Sequence, residues 1–211
     1  LLLKALLDHA GKQSAIEIIT PARVDAVEQQ NDQLILHYRI NQQKKNLTSG
    51  LVAIADGANS PLRRKLGIPV DSVDYQQSAL IANVRITDNS TGWAYERFTA
   101  GGPLALLPLP GKRYAMVWTH DNRQIEARMA LSDEQLLQQL HDSFGYRLGE
   151  FSGIGVRARF DLKLTRAQQL SSGRCVLIGN AANSLHPVAG QGFNLALRDI
   201  GQLYDCLKDV D

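Results

Sequence analysis

Residues 179–194 read GNAANSLHPVAGQGFN, and this stretch decides the fold. It follows a mostly apolar run at residues 174–178, which has the length of a buried parallel strand. Small residues at positions 179–182 allow a ligand to approach the backbone closely. Gly190 and Gly192 then begin a helix, whose unpaired N–H groups and positive dipole end can hold negative charge. The pattern predicts a strand, a binding loop and a helix N-terminus, with tight packing alone as the alternative.

A second strand-to-loop transition lies upstream at residues 51–63, which read LVAIADGANSPLR. Residues 51–55 form a fully apolar run that ends in Asp56 and Gly57, so a carboxylate and a flexible turn fall at the carboxyl edge of a sheet. Open α/β sheets bind their ligands at this edge. Ser60 and Arg63 follow and are suited to hold phosphate oxygens. An ordinary turn is the alternative for the Asp-Gly pair.

Between these two segments the sequence is typical of an antiparallel sheet. Strand-like runs separated by Gly and Pro turn signals lie at residues 78–86, 93–98, 104–109 and 114–119, and another at 157–164. Ser132 and Gln135 form a capping box that opens an amphipathic helix. Upstream we expect a helix from residue 1, a strand at 16–20, a hairpin of strands 23–29 and 33–40, and a helical turn at 61–66.

These elements predict a mixed α/β (α+β) protein. Residues 1–72 and 166–211 would form one discontinuous domain, and residues 73–165 an inserted, mostly antiparallel sheet domain. Both ends of the chain have helical periodicity that simply stops, so we expect a cut through a longer protein.

Composition narrows the functional classes. The chain has 211 residues, of which 44% are hydrophobic, and a net charge of +2 from scattered Lys and Arg, so we expect no nucleic-acid partner. Its two cysteines match neither a metal site nor a disulfide framework, which favours a cytoplasmic protein without a metal. The apolar run at 104–109 is far shorter than the ~20 residues of a transmembrane helix.

The two segments together resemble the motifs of the flavoprotein aromatic hydroxylases related to para-hydroxybenzoate hydroxylase. The Asp-Gly-x-x-Ser-x-x-Arg motif of that family is matched by Asp56, Gly57, Ser60 and Arg63. Its second motif, Gly-Asp-Ala-Ala-His…Pro…Gly-x-Gly-x-Asn, is matched at Gly179, Ala181, Ala182, Pro187, Gly190, Gly192 and Asn194, with Asp199 further along. The order and spacing of the motifs also fit, so the resemblance covers essentially the whole chain.

The resemblance implies a Rossmann-like FAD-binding domain that encloses a substrate domain, with NAD(P)H as the reductant. The residues it implies for the cofactor are Asp56, Gly57, Ser60, Arg63, Gly179, Asn180, Ala181, Pro187, Gly190, Gln191, Gly192 and Asn194. The backbone of Pro187 would lie beside both the flavin ring and the substrate, and no side chain is assigned as an acid or base. His186 is expected to be structural.

Three features resemble the branch of this family that hydroxylates polyprenylated phenols such as 2-octaprenyl-6-methoxyphenol in ubiquinone biosynthesis. They are the Gly-Asn pair at 179–180, the Leu-His-Pro at 185–187, and the sequence ERFT at 96–99 before GPLA at 102–105. The resemblance therefore implies a prenylated phenol as substrate, a multi-protein ubiquinone-synthesis complex and peripheral contact with the inner membrane. Asn180 and Asn183 replace the usual Asp and His, and Asn180 would bind the ribityl chain of the flavin without a charge.

A competing motif and two competing functions have to be weighed against this resemblance. Residues 153–158 read GIGVRA and match a dinucleotide fingerprint, but a strand rather than a helix is expected to follow, so we discount the match. The same frame also serves epoxidases, halogenases and prenyl reductases. A non-catalytic interaction module of a biosynthetic complex is the second competing function. Without the upstream ADP-binding segment, the 211 residues alone are expected to have little FAD affinity and no turnover.

Overall fold

The computed structural model describes residues 2–88, 92–185 and 190–209. The helices are α1 (Leu2–Ala10), α2 (Pro61–Lys65), α3 (Asn122–Met129), α4 (Asp133–Phe144) and α5 (Gln191–Leu207). The strands are β1 (Arg23–Gln30), β2 (Gln33–Ile40), β3 (Gln43–Ser49), β4 (Val52–Ile54), β5 (Val70–Ile86), β6 (Tyr95–Thr99), β7 (Gly102–Leu109), β8 (Arg113–Asp121), β9 (Phe151–Ile154), β10 (Ala158–Ala167), β11 (Ser171–Ser172), β12 (Cys175–Leu177) and β13 (Asn183–Ser184). A 3-10 turn, Gly179–Ala181, follows β12.

The largest sheet has the order β13-β10-β5-β8-β7-β6, and β9 also pairs with β5. All of its neighbouring strands are antiparallel, which confirms the predicted antiparallel insert. Side chains alternate between its two faces because successive residues of a strand point in opposite directions. Leu80, Leu104 and Trp118 all point to one face, where they are buried.

Helices α3 and α4 cover that face of the large sheet. Ser132 caps α4 by accepting from the backbone N–H of Gln135, whose side chain returns to the Ser132 N–H, so the predicted capping box is confirmed. Leu136, Leu140 and Phe144 of α4 are buried against the sheet. Helix α3 was not predicted from the sequence.

A small sheet has the order β11-β12-β4. Its buried residues belong to a hydrophobic core separate from the one between the large sheet and helices α3 and α4. Strands β12 and β4 pair in parallel, with Val52 opposite Cys175 and Ile54 opposite Leu177. The two apolar runs at 51–55 and 174–178, distant in sequence, are therefore neighbouring parallel strands, as predicted. Strands β1, β2 and β3 form a separate antiparallel sheet.

Some sequence predictions were wrong or incomplete. Residues 16–20 form no strand; Ile16 and Ile18 are exposed, so this apolar run lacks a neighbouring strand to pair with. Strand β3 was missed because its mostly polar sequence, QKKNLTS, lacks the apolar alternation of a half-buried strand. The discounted GIGVRA segment is indeed followed by strand β10 and not by a helix.

Strands β5 and β10 run unbroken across the predicted boundaries after residues 72 and 165. The division into residues 1–72, 73–165 and 166–211 stays a prediction.

Within residues 2–88, 92–185 and 190–209, no helix combines the length and the apolar character needed to cross a bilayer.

Candidate functional site

The two segments singled out in the sequence meet at one crevice of about 410 Å³. The end of β4, the end of β12 and the first three turns of α5 form its walls. The lining residues are Ala55, Gly57, Ile178, Gly179, Asn180, Gly192, Phe193, Ala196 and Ile200. The predicted residues Gly57, Gly179, Asn180 and Gly192 are thus brought together, although more than a hundred positions separate Gly57 from the other three.

The first wall follows β4 directly. Gly57 has a φ of 94°, a left-handed conformation that side chains disfavour, and it turns the chain away from the sheet. The Asp56 carboxylate accepts from the backbone N–H of Leu62 at 3.3 Å. It therefore ties the loop to the first turn of α2, near the positive end of that helix.

Ser60 and Arg63 face the protein interior and not the crevice. Ser60 is fully buried as the N-cap of α2, where its hydroxyl oxygen accepts from the Arg63 N–H at 2.9 Å. The Arg63 side chain is 4% exposed and donates to the carbonyl oxygens of Ala181 at 2.7 Å and Ala58 at 2.9 Å. In this arrangement both residues position the loop and the turn, and their predicted contact with phosphate oxygens stays a prediction.

The 179–181 turn forms the second wall. Gly179 has a φ of 58°, and a Cβ placed on it would stand 3.5 Å from the Cβ of Ala196 in α5. The Gly179 N–H donates to the carboxylate of Asp199 in α5 at 3.0 Å. Ala181 is fully buried, and its carbonyl oxygen accepts a hydrogen bond from Arg63; its predicted contact with a cofactor stays a prediction.

The third wall is the N-terminal part of α5, which begins at Gln191 as predicted. Gly190 precedes it with a φ of 60°, and no side chain caps the helix. Within residues 2–88, 92–185 and 190–209, no side chain accepts from its first N–H groups. Gly192 lines the crevice, whereas Gln191 and Asn194 are exposed outside its lining. Pro187 and His186 lie outside the described residues.

The crevice is electrically neutral at its surface. Among the nine described residues that line it, Asn180 alone has a polar side chain, and the others are apolar or glycine. A ligand's negative charge would therefore meet backbone N–H groups and the dipole of α5 rather than a cationic side chain.

Sequence reasoning missed several contributors to this site. Phe193, Ala196 and Ile200 line the crevice. Asp199 was noted after the second motif but given no role, and it anchors the crevice wall. A signal was available, because Gly192, Ala196 and Asp199 are spaced four and three residues apart and therefore share one face of a helix.

The opposite face of the large sheet is a second surface of interest. Leu104 and Leu106 of β7 are buried under α3 and α4, but Leu107 points the other way and is 45% exposed. Strand register places Phe98 and Phe160 on the same side as Leu107, and both are exposed. We call these three residues the open face. The apolar run at 104–109 is thus ordinary core on one side of the sheet and open on the other.

Comparison with known proteins agrees with this geometry. The family model for the FAD binding domain matches residues 1–210. The chain belongs to this FAD-binding family. It is 34% identical over 207 residues to the ubiquinone hydroxylase UbiL of Rhodospirillum rubrum, covering 98% of this chain and 48% of that protein. It is also 33% identical over 183 residues to the 3-demethoxyubiquinol 3-hydroxylase of Escherichia coli, covering 84% and 46%.

Among solved structures, a probable FAD-dependent monooxygenase from Pseudomonas aeruginosa, pqsL, superposes with a TM-score of 0.81. That match is 22% identical and covers 100% of this chain and 60% of the other, and it confirms the fold. The chain spans about half the length of the curated relatives it matches.

Proposed function

We propose that the protein is a flavin-dependent monooxygenase that hydroxylates the ring of a polyprenylated phenol in ubiquinone biosynthesis, using NAD(P)H and O2. The observation that carries the proposal is the single crevice shared by Gly57, Gly179, Asn180 and Gly192. The names of two relatives, a ubiquinone hydroxylase and a 3-demethoxyubiquinol 3-hydroxylase, supply the pathway and the type of substrate.

The residues of the crevice fit FAD. A Cβ placed on Gly57 or Gly192 would meet no protein atom within 4 Å, so the space beside both residues is free for a ligand. Asn180 offers an amide that can both donate and accept, as the hydroxyl groups of a ribityl chain require. The uncapped start of α5 offers N–H groups and a positive dipole end to the electron-rich side of a reduced flavin ring. FAD, when bound, supplies the redox chemistry and the activation of O2.

The substrate's prenyl tail is assigned to the open face of the large sheet. Phe98 is 74% exposed and Phe160 is 55% exposed, which is unusual for aromatic side chains. A bound hydrocarbon chain would remove both side chains from water. The covered face is filled by α3 and α4, so it offers no such surface. The protein's part in the reaction is then to hold the phenol in place and keep water out.

A glycine pair in α5 tests the cofactor assignment in the complete protein. Gly192→Val places two methyl groups beside the crevice, whereas Gly201→Val, in the same helix, has equal free space but lies outside the lining. We expect Gly192→Val to weaken FAD binding at least about tenfold, measured by flavin fluorescence, because the side chain takes the ligand's place. Gly201→Val should bind FAD as the wild type does. Equal affinities of the two variants would contradict the assignment.

Turnover tests the reaction itself. With FAD, NAD(P)H and a prenylphenol, mass spectrometry should find one atom of labelled O2 in the ring of the product. Reductant oxidation that saturates a double bond of the tail and yields no labelled product would instead favour a prenyl reductase. Oxygen in an epoxide of the tail would favour an epoxidase, and a halogenated ring would favour a halogenase.

A matched leucine pair tests the tail surface. Leu107 on the open face and Leu47 on β3 are equally exposed, at 45%. Leu107→Gln should raise the KM for a long-chain prenylphenol several-fold but leave the KM for an untailed phenol unchanged. Leu47→Gln should alter neither KM. If Leu107→Gln changes the KM of both phenols equally, the tail does not bind to the open face.

The proposal extends to the place where the protein works. A polyprenyl tail buries many CH2 groups, each stabilising membrane residence by about 0.8 kcal/mol, so the enzyme must meet its substrate at a membrane surface. Sedimentation with prenylphenol-loaded phospholipid vesicles tests this peripheral contact. A multi-protein ubiquinone-synthesis complex stays a prediction.

A further inference from the structure

We propose that Asp199 is a positioning residue of the flavin site, whose carboxylate holds the 179–181 turn in the shape of a crevice wall. The inference rests on the proposed function, because it assigns the role of a residue within the same site. Asp199 does not line the crevice and acts through the backbone of Gly179.

The first observation is the hydrogen bond itself. The Gly179 N–H donates to Asp199 Oδ2 at 3.0 Å, in a partly buried position. This N–H is the first of a 3-10 turn, so the turn itself offers it no acceptor. In the described part of the chain, Asp199 forms no salt bridge that would give its carboxylate another task. A charged acceptor makes such a bond shorter and stronger than a neutral one.

The second observation lies at the other end of the turn. Arg63 Nη1 donates to the Ala181 carbonyl at 2.7 Å, and this contact is buried. A carboxylate therefore faces the N–H end of the turn, and a guanidinium faces its C=O end. Each charge has the sign that the turn's dipole favours, so the two side chains hold the same three residues from α5 and α2.

The third observation is the thin packing between the turn and α5. Gly192, Ala196 and Asp199 share the helix face that meets the turn, and two of them are too small to make many contacts. Helix α5 has no buried side chain along its described length. The distance between Asn180 on one wall and Gly192 on the other therefore depends on the Asp199 bond more than on packing.

The primary test measures FAD binding to Asp199→Ala, Asp199→Asn and Asp205→Asn in the complete protein. Asp205 is the matched control, because it lies in the same helix and pairs with Lys208 on the surface. Asp199→Ala should weaken FAD binding at least about tenfold, the loss expected for one hydrogen bond to a charged group. Asp199→Asn keeps an acceptor and should recover most of the affinity, to within about threefold of the wild type.

A positioning role also predicts an altered environment of the bound flavin. At saturating FAD, Asp199→Ala should change the visible circular dichroism of the flavin, whereas Asp205→Asn should leave it as in the wild type. If Asp199→Ala binds FAD with the affinity and dichroism of Asp205→Asn, the inference is wrong.

A readout without FAD separates this inference from the proposed function. Hydrogen exchange of the segment 178–182, followed by mass spectrometry on the apoprotein, should be about tenfold faster in Asp199→Ala than in Asp205→Asn. Should Asp199→Ala not fold, Asp199→Asn decides, with exchange a few-fold faster than in the control. Unchanged exchange overturns the inference. A wild-type protein that shows the protected turn but takes up no FAD overturns the proposed function instead.

Discussion

Helices α4 and α5 are both amphipathic, yet the fold uses them in opposite ways. The 12-residue α4 buries Leu136, Leu140, His141 and Phe144 against the large sheet. The 17-residue α5 buries none of its side chains. Five of its large apolar residues are instead at least 42% exposed; they are Phe193, Leu197, Ile200, Tyr204 and Leu207.

The difference shows where stability and function lie in this chain. Core packing fixes α4, and its face of the sheet is closed to ligands. In the described part of the chain, the hydrogen bond from the Gly179 N–H to Asp199 holds α5 beside the crevice, and the start of the same helix carries Gly192 and the uncapped N–H groups. A binding wall made of glycine and backbone needs open space, so it cannot also be a packed core.

The same substitution in the two helices should give the largest contrast in stability. In the 211-residue chain, Leu140→Ala removes a fully buried side chain and should lower the free energy of unfolding by roughly 2–5 kcal/mol. Leu197 in α5 is 50% exposed, so Leu197→Ala should lower the free energy of unfolding by less than about 1 kcal/mol. Urea unfolding measures both. Equal losses would break the comparison, because they would mean that another surface covers Leu197 in solution.

Acid should weaken the helix-covered side of the large sheet through His120. This side chain is 1% exposed, and both of its ring nitrogens lack hydrogen-bond partners in the described part of the protein. Burial, and secondly the charge of Arg128, lowers the pKa of His120 from 6.5 to about 3. Below pH 6.5 the unfolded chain therefore takes up a proton that the folded chain refuses, so stability falls with pH.

Between pH 8 and pH 5 this group should cost about 2 kcal/mol of unfolding free energy. Between pH 8 and pH 5, the unfolding free energy of His120→Leu should fall by about 2 kcal/mol less than that of the wild type, as measured by urea unfolding at both pH values. His9→Gln on the exposed face of α1 is the control and should follow the wild type. An identical pH dependence in His120→Leu would show that water reaches this side of the sheet.

The capping box sets α4 apart from the uncapped α5. Ser132→Ala removes the acceptor of the Gln135 N–H, which lies 3.2 Å away, and should cost about 1 kcal/mol of unfolding free energy. Ser143→Ala, within the last turn of the same helix, should cost little because alanine favours a helix interior. Should the two variants have equal melting temperatures, the cap contributes nothing to α4.

Much of the fold could be predicted because its signals are local. Each of three features is recognisable from a few consecutive residues. They are the Ser132 capping box, the two apolar runs before Asp56 and Gly179, and the Gly-rich start of α5. Helix α3 did not, because its sequence, NRQIEARM, is mostly polar and buries Ile125 alone. Residues 16–20 gave the opposite error, since an apolar run becomes a strand only where a neighbouring strand pairs with it.

The membership of the crevice was predictable in part, and the orientation of its side chains was not. The motifs identified Gly57, Gly179 and Gly192 as one site, since glycine there requires no side chain to be placed. They could not show that Arg63 turns inward to the Ala181 carbonyl, because a guanidinium serves a phosphate and a carbonyl equally well. Which partner it meets depends on the tertiary fold.

The smallest effect is expected at the far end of α5, where a surface ion pair joins Lys208 to Asp205 at 3.0 Å. Both side chains are well exposed, so water and salt screen their attraction. Lys208→Ala should lower the free energy of unfolding by no more than about 0.5 kcal/mol, and roughly 0.5 M NaCl should remove most of the difference from the wild type. A loss above about 1 kcal/mol that persists in salt would place Lys208 in a packed contact, and α5 would then be anchored at both ends instead of at the crevice alone.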